Sequence, residues 1–165
     1  MNIRIAKTKD LPELLEIYNQ AIALGGKTAD TSFVTPKNRQ TWFDAHPDHK
    51  YPIIVAQIDN KIVGYLSISA YRAGREALQH TAEISYYVHS NYHRKKIATN
   101  LILHAIKMCD KLQINNLFAI IIEGNLASIK LMEKFGFVKW GKLPKVVNLN
   151  GTLFDHLYYG LKIKA

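Results

Sequence analysis

Hydrophobic and polar positions change period several times along the chain, and each change marks an element. Residues 2–6 alternate as a short strand, after which Leu11, Leu14, Leu15, Tyr18 and Ile22 recur at helical spacing behind Thr8, a capping residue. Gly25-Gly26 closes that helix. Thr35-Pro36 opens a second one, with threonine at the cap, proline in the first turn, and Trp42 and Phe43 as its anchors. Residues 52–58 and 61–71 are rich in Ile, Val and Tyr and are separated by Asp59-Asn60, which predicts a β-hairpin. After a polar loop at 72–79, residues 81–88 predict another strand, and residues 95–111 predict a helix in which Ile97, Leu101, Ala105 and Cys109 repeat every four positions. Residues 117–122 read as a buried strand, and Ser128, Leu131, Met132 and Phe135 mark one face of a short helix from about Asn125. Two final strands, 137–147 and 152–163, flank a turn at 148–151. The order β, α, α, β, β, β, α, β, α, β, β, without repeat or linker, predicts a mixed α/β sheet covered by helices.

Composition narrows the class. The 165 residues, 48% apolar, suit one domain spanning 1–165 with a real core. The longest apolar run, 117–122, falls far short of the roughly 18 residues that a membrane-spanning helix requires, so a soluble chain with no membrane partner is expected. Charges recur every few residues from the first, unlike a secretory leader. The single cysteine, Cys109, leaves no intrachain disulfide and no multi-cysteine zinc site, and a cytoplasmic location is expected. On the same reading Asn150-Gly151-Thr152 is a turn and not a glycan acceptor. A net charge of +9 favours an anionic partner. The basic residues are scattered without zinc-finger or RNA-binding strand motifs, so nucleic acid is not the expected one.

Several chemistries fail at the motif level. No G-x-S-x-G elbow, H-E-x-x-H helix, C-x-x-C pair or G-x-G-x-x-G turn is present. Gly26-Lys27-Thr28 imitates the end of a P-loop, but Ala21 stands where its first glycine belongs and a helix, not a strand, precedes it. The seven histidines include no pair at metal-ligand spacing on a predicted helix, the pairs His46/His49 and His89/His93 falling outside the helices, so no metal is expected.

The informative stretch is 81–102, TAEISYYVHSNYHRKKIATNLI, in which a strand, a polar turn and a basic run lead into an amphipathic helix. A helix N-terminus offers unpaired N–H groups and partial positive charge, a setting for phosphate that Arg94, Lys95 and Lys96 reinforce. Together with GNLASIKLMEKFGF (124–137) and the opening AKTKDLPELLEIYN (6–19), this stretch resembles the GNAT superfamily of acetyl-CoA-dependent N-acetyltransferases. TADTSFVTP (28–36), RQTWF (39–43) and HTAEISYYV (80–88) are similar to its phosphinothricin and methionine-sulfone acetyltransferase branch, and the likeness covers essentially the whole chain.

The resemblance implies a mostly antiparallel central sheet, flanked by helices, whose fourth and fifth strands splay to admit the pantetheine arm. It assigns pantetheine and thioester contacts to Tyr86, Tyr87 and Val88, pyrophosphate contacts to the loop of His93, Arg94, Lys95, Lys96, Ile97, Ala98 and Thr99, and further cofactor contacts to Asn125 and Ser128. A backbone N–H aimed at the thioester oxygen stabilises the oxyanion formed as an amine attacks. Two positions depart from the family. Lys96 replaces the loop glycine that lets backbone approach phosphate, and either binds phosphate through its ammonium or crowds the loop. Met132 replaces a tyrosine that protonates the departing thiolate, and methionine has no proton to give.

Glu83 is the expected base, since a carboxylate between Ala82 and Ile84 is out of place on an apolar strand unless paired or wet. Arg75, with Arg72 as its competitor, stands in a loop that the resemblance implies faces the substrate, and is expected to grip a carboxylate or phosphinate there, with Thr31 and Phe33 lining the pocket. Cys109 falls on the buried helix face, a poor place for a nucleophile. The expected function is transfer of acetyl from acetyl-CoA to the amine of a small amino-acid-like substrate, without metal, by a homodimer. A non-catalytic acyl-CoA-binding module and an acetyltransferase of a protein amine are the alternatives.

Overall fold

The computed structural model describes residues 1–164. Seven strands form one sheet in the order β1-β2-β3-β4-β5-β7-β6. They are β1 (Asn2–Ile5), β2 (Ile53–Ile58), β3 (Lys61–Ala70), β4 (Thr81–Val88), β5 (Asn116–Ile122), β6 (Val138–Leu149) and β7 (Thr152–Lys162). Four helices, α1 (Leu11–Leu24), α2 (Pro36–Asp44), α3 (Ile97–Met108) and α4 (Leu126–Lys134), cover it. The element order is the one the pattern predicts. One cap differs: residues Thr8–Asp10 form a 3-10 turn, α1 begins at Leu11, and Asp10 rather than Thr8 holds the entry. The Asp10 carboxylate accepts the Lys7 N–H at 2.7 Å and both Arg4 Nη atoms at 2.7 and 2.9 Å.

Each face of the sheet carries two helices. Ile54, Leu66, Ile68, Ala82 and Ile84 pack with Leu101, Ile102 and Ala105 of α3 and Met132 of α4. On the opposite face Ile53, Val55 and Tyr65 meet Leu14 and Ile17 of α1, with Trp42 and Phe43 of α2 at the edge. Central strands buried on both sides explain why β2 and β3 read as near-continuous apolar runs instead of alternating. Gly64 lets α3 start hard against the sheet, because a Cβ there would lie 2.8 Å from Ile97 Cγ2 and 3.1 Å from the Tyr87 carbonyl oxygen. That contact fixes where the first turn of α3 points.

The pairing of β4 with β5 positions the site. It is the sheet's parallel contact and extends only over Thr81↔Asn116, Ala82↔Leu117 and Glu83↔Phe118. Beyond Glu83 each strand stays with its antiparallel neighbour, β4 with β3 as far as Val88 and β5 with β7 as far as Ile122. The two therefore diverge, leaving a wedge between residues 84–88 and 119–122.

Candidate functional site

Period-two geometry divides β4 between two tasks. Glu83, Ser85 and Tyr87 point to the α1/α2 face, whereas Tyr86 points to the α3/α4 face. Three cavities meet along this strand. One of ≈ 290 Å³ fills the wedge between Glu83–Tyr87 and Ala119–Ile122 and is closed by Asn125, Ser128 and His156. A second, ≈ 440 Å³, follows the groove from Tyr86, Tyr87 and Val88 across His93, Arg94, Lys96, Ile97, Ala98 and Thr99 to Asn125 and Ser128. The third, ≈ 500 Å³, lies under α2, with Ser67, Ser69, Glu83 and Ser85 on its floor and Phe33, Asn38, Arg39 and Trp42 on its walls. Glu83 borders the first and third cavities, and Tyr86 the first and second.

The groove has the chemistry of a phosphate site. Lys96 caps α3 through its backbone alone, and the first helical bond of the turn runs from the Asn100 N–H to the Lys96 carbonyl at 3.0 Å. The N–H groups of Ile97, Ala98 and Thr99 precede that bond and are free donors at the positive end of the helix. Arg94 and Lys96 both hold positive φ, 62° and 60°, and turn the loop into the start of the helix. This is the physical reason a glycine suits position 96, and the lysine there adopts the same left-handed conformation with its side chain exposed. Lys95 turns away, its Nζ 4.7 Å from the centre of the Tyr92 ring. Asn125 caps α4, is buried, and accepts from Lys27 Nζ at 3.3 Å across the groove. The buried Tyr86 hydroxyl faces Ser128 without a hydrogen bond of normal geometry, and burial pushes its pKa up to about 12. Free backbone donors, an orphaned hydroxyl and an elongated groove leading to the wedge fit a thioester carrier bearing phosphates.

Glu83 sits half-buried where the strands part and forms no ion pair among the described residues. Burial raises its pKa, with the neighbouring Ser85 hydroxyl pulling the other way. A carboxylate held above its ordinary range and open to two cavities is suited to accept a proton from an ammonium group. Met132 is completely buried in the α3/α4 core, so its helical spacing reflects packing. Cys109 is likewise enclosed, its thiol pushed up to about 11 by burial.

The structure gathers most of the sequence-predicted residues. Tyr86, Tyr87, Val88, His93, Arg94, Lys96, Ile97, Ala98, Thr99, Asn125 and Ser128 share the groove, and Phe33 joins Glu83 at the cavity under α2. Thr31, Arg72 and Arg75 are exposed and line none of the three cavities, nor does Lys95. Of the strap between α1 and α2 the sequence offered Thr31 and Phe33 but missed the side chains that hold it down. Tyr18 holds it, bonding Thr28 Oγ1 at 2.8 Å and Asp30 at 2.7 Å, and Asn19 clasps the Val34 backbone in both directions. It also missed His156 at the wedge and Arg39, which is 5% exposed. Arg39 lies in the RQTWF segment that carries part of the family likeness, but nothing in the sequence marks its side chain as buried.

Comparison with known proteins agrees with this geometry. Residues 13–137 match the Acetyltransferase (GNAT) family. The Bacillus subtilis protein YwnH, which carries a provisional phosphinothricin acetyltransferase name, is 35% identical over 156 residues, 94% of each chain. An L-methionine sulfoximine/L-methionine sulfone acetyltransferase of Pseudomonas paraeruginosa is 34% identical, covering 98% of this chain and 94% of its own. A Salmonella typhimurium protein solved with its cofactor acetyl-CoA superposes with a TM-score of 0.93 at 27% identity, over 100% of this chain and 95% of that one.

Proposed function

Because this chain belongs to the GNAT family of acetyltransferases, whose members draw acetyl from acetyl-CoA, we propose that it acetylates the amino group of a small amino-acid-like acceptor. The acceptor is of the phosphinothricin, methionine sulfone or methionine sulfoximine type, as the names of the relatives support. The observation that carries the reading is Glu83, an unpaired carboxylate at the branch point where the cavity under α2 opens onto the wedge. In this reading the acceptor enters under α2 and Glu83 takes its ammonium proton, directly or through water, so that the neutral amine attacks the thioester. Backbone groups of Tyr86, Tyr87 and Val88 hold the pantetheine and the thioester oxygen. The free N–H groups of Ile97, Ala98 and Thr99, with His93, Arg94 and Lys96 around them, hold the pyrophosphate, and Asn125 and Ser128 close the groove. Direct attack is supported by Cys109, the chain's sole thiol, lying enclosed in the core. Thiolate departs unprotonated or through water, since a thiol's reference pKa is about 8.5.

The test is thiol release from acetyl-CoA with L-methionine sulfone or phosphinothricin as acceptor. Saturable, acceptor-dependent release that Glu83→Gln abolishes while acetyl-CoA still binds is expected. Acetyl-CoA binding without release to any amine would instead mean a non-catalytic module, and no binding would refute both. A homodimer in the cytoplasm belongs to the same proposal. It is supported by the exposed Trp140, Leu143, Val146 and Leu153 along the β6–β7 hairpin, and a monomer in sedimentation velocity would count against it.

A further inference from the structure

Arg39 is charged, 5% exposed, and unpaired with any carboxylate among the described residues. Its guanidinium stacks 3.6 Å from the centre of the Trp42 ring, with the Tyr18 and Tyr65 rings at 4.7 and 5.1 Å. These faces stabilise a cation but accept few hydrogen bonds. Of five N–H donors, Nη2 donates to the Tyr65 hydroxyl, while Nε is enclosed without a partner. Burying an unpaired guanidinium is costly, and a folded chain tolerates it where a ligand completes the pairing.

The surroundings say what that ligand carries. Arg39 lines the ≈ 500 Å³ cavity under α2 together with Glu83 and Asp30, and forms a salt bridge with neither. Asp30 is engaged by Tyr18 at 2.7 Å. The register places Tyr65, the partner of Arg39, opposite Tyr87, four residue pairs along from Ser69↔Glu83, with Ser67↔Ser85 between them on the same face. The cavity thus has a cation at one end, a carboxylate base at the other, and serine hydroxyls between. An α-amino acid presents the complementary pair, its carboxylate to Arg39 and its ammonium toward Glu83, which takes the proton directly or through water. Arg72 and Arg75, the arginines that the sequence suggested for this task, stand exposed outside the cavity.

We propose that Arg39 is the specificity-determining residue of this site, binding the α-carboxylate of a free amino-acid acceptor. The inference rests on the acetyl-transfer reading above and deepens it: a peptide N-terminus, whose α-carboxyl is an amide, lacks the group that Arg39 pairs with. A phosphinate on the acceptor's side chain offers the same oxyanion chemistry, so the probes separate the two.

Steady-state kinetics compare L-methionine sulfone with 3-(methylsulfonyl)propylamine, the same amine without its carboxylate, for the wild type, Arg39→Gln, Arg39→Lys, Arg72→Gln and Arg75→Gln. Loss of a hydrogen-bonded charge pair predicts that Arg39→Gln lowers kcat/KM for the amino acid by about 10- to 100-fold, mainly through KM. Turnover of the decarboxylated amine stays within about twofold, and Arg39→Lys recovers part of the loss. Equal losses on both probes would show a structural role and overturn the proposal. So would selectivity that tracks Arg72 or Arg75. If Arg39→Gln does not fold, the wild type decides alone, because a chain that fails to prefer L-methionine sulfone over both its methyl ester and the decarboxylated amine has no carboxylate clamp. If the wild type acetylates neither probe, the acetyl-transfer reading fails separately. Calorimetric binding of L-methionine sulfone that is absent for the decarboxylated amine then supports the clamp, and equal or absent binding of the two overturns it.

Discussion

Replacing Lys96 by glycine should make the protein more stable and its hold on acetyl-CoA weaker. The two effects have separate causes. Lys96 holds φ 60° and ψ 17° at the cap of α3, and the left-handed conformation costs a residue with a Cβ roughly 1–2 kcal/mol. Glycine removes that cost but gives back about 0.5–1 kcal/mol of unfolded-chain entropy. Taking a positive charge from the positive end of the helix returns another ~0.3–1 kcal/mol. The sum is a gain of about 1 kcal/mol, or roughly 2–4 °C in Tm for a chain of this size. On the proposed binding mode the same ammonium faces pyrophosphate from an exposed position, where screening holds the pairing to about 1 kcal/mol. The Kd for acetyl-CoA should then rise about fivefold at low salt, with a shallower salt dependence. Lys96→Ala separates the terms, since it loses the charge but keeps the Cβ. It should match the glycine variant in affinity and fall short of it in stability. Calorimetry of binding and thermal unfolding of the three proteins read both quantities. Identical melting of the glycine and alanine variants would refute the backbone argument, and tighter acetyl-CoA binding by Lys96→Gly would show that the side chain obstructs the groove.

Glu83→Gln should lower kcat by about 10²- to 10⁴-fold with little change in acetyl-CoA affinity, whereas an active variant would remove Glu83 as the base. Burial raises the pKa of Glu83, so the fold disfavours its charged form relative to the unfolded chain. The stability it contributes is present in acid and lost as pH rises through the folded value, so Glu83→Gln should melt higher than the wild type at pH 7; lower melting would contradict the assignment. The wild-type kcat/KM profile should fall on an acid limb displaced above the ordinary carboxylate range. Asp10 has the opposite sign: burial pushes its pKa up, but the Arg4 hydrogen bonds and charge and the Lys7 N–H together hold it below the ordinary value. Its stabilisation is present above the unfolded pKa and lost as pH falls through the folded one, and Asp10→Asn should cost about 2–3 kcal/mol at pH 7 in urea unfolding. Gly64→Ala should push Ile97 and the first turn of α3 off the sheet, costing about 1–3 kcal/mol and weakening acetyl-CoA binding in the same variant. Weakened stability with unchanged binding would separate that contact from the groove.

Local rules carried much of this protein. The capping Thr35 accepts the Asn38 N–H at 3.3 Å, and Gly25 ends α1 at φ 68°, both as the residue types require. Asp59 and Asn60 turn the hairpin with positive φ at both positions, the demand of a tight connection. The basic run before an amphipathic helix pointed to the groove at the start of α3, because a helix N-terminus and its neighbouring charges are close in sequence and need no tertiary partner to be recognised. The chain also declared Glu83, a lone carboxylate in an apolar strand.

What local rules left open depends on contacts between segments far apart in the chain. That β4 and β5 pair for three residues and then diverge follows from competing antiparallel neighbours on either side, which no window of sequence contains. The cavity under α2 brings together residues from α1, the strap, α2, β3 and β4. Arg39 is the clearest case. In sequence it is one of 22 basic residues, as well suited to solvent as Arg72 or Arg75. Its burial among Tyr18, Trp42 and Tyr65, more than twenty residues away at either extreme, is decided when α2 settles on the sheet. Hydrophobic periodicity specifies which face of a helix goes inward, but the long stem of an arginine can satisfy that demand while its charged end waits for a partner, and only the assembled walls of the cavity show where that end lies.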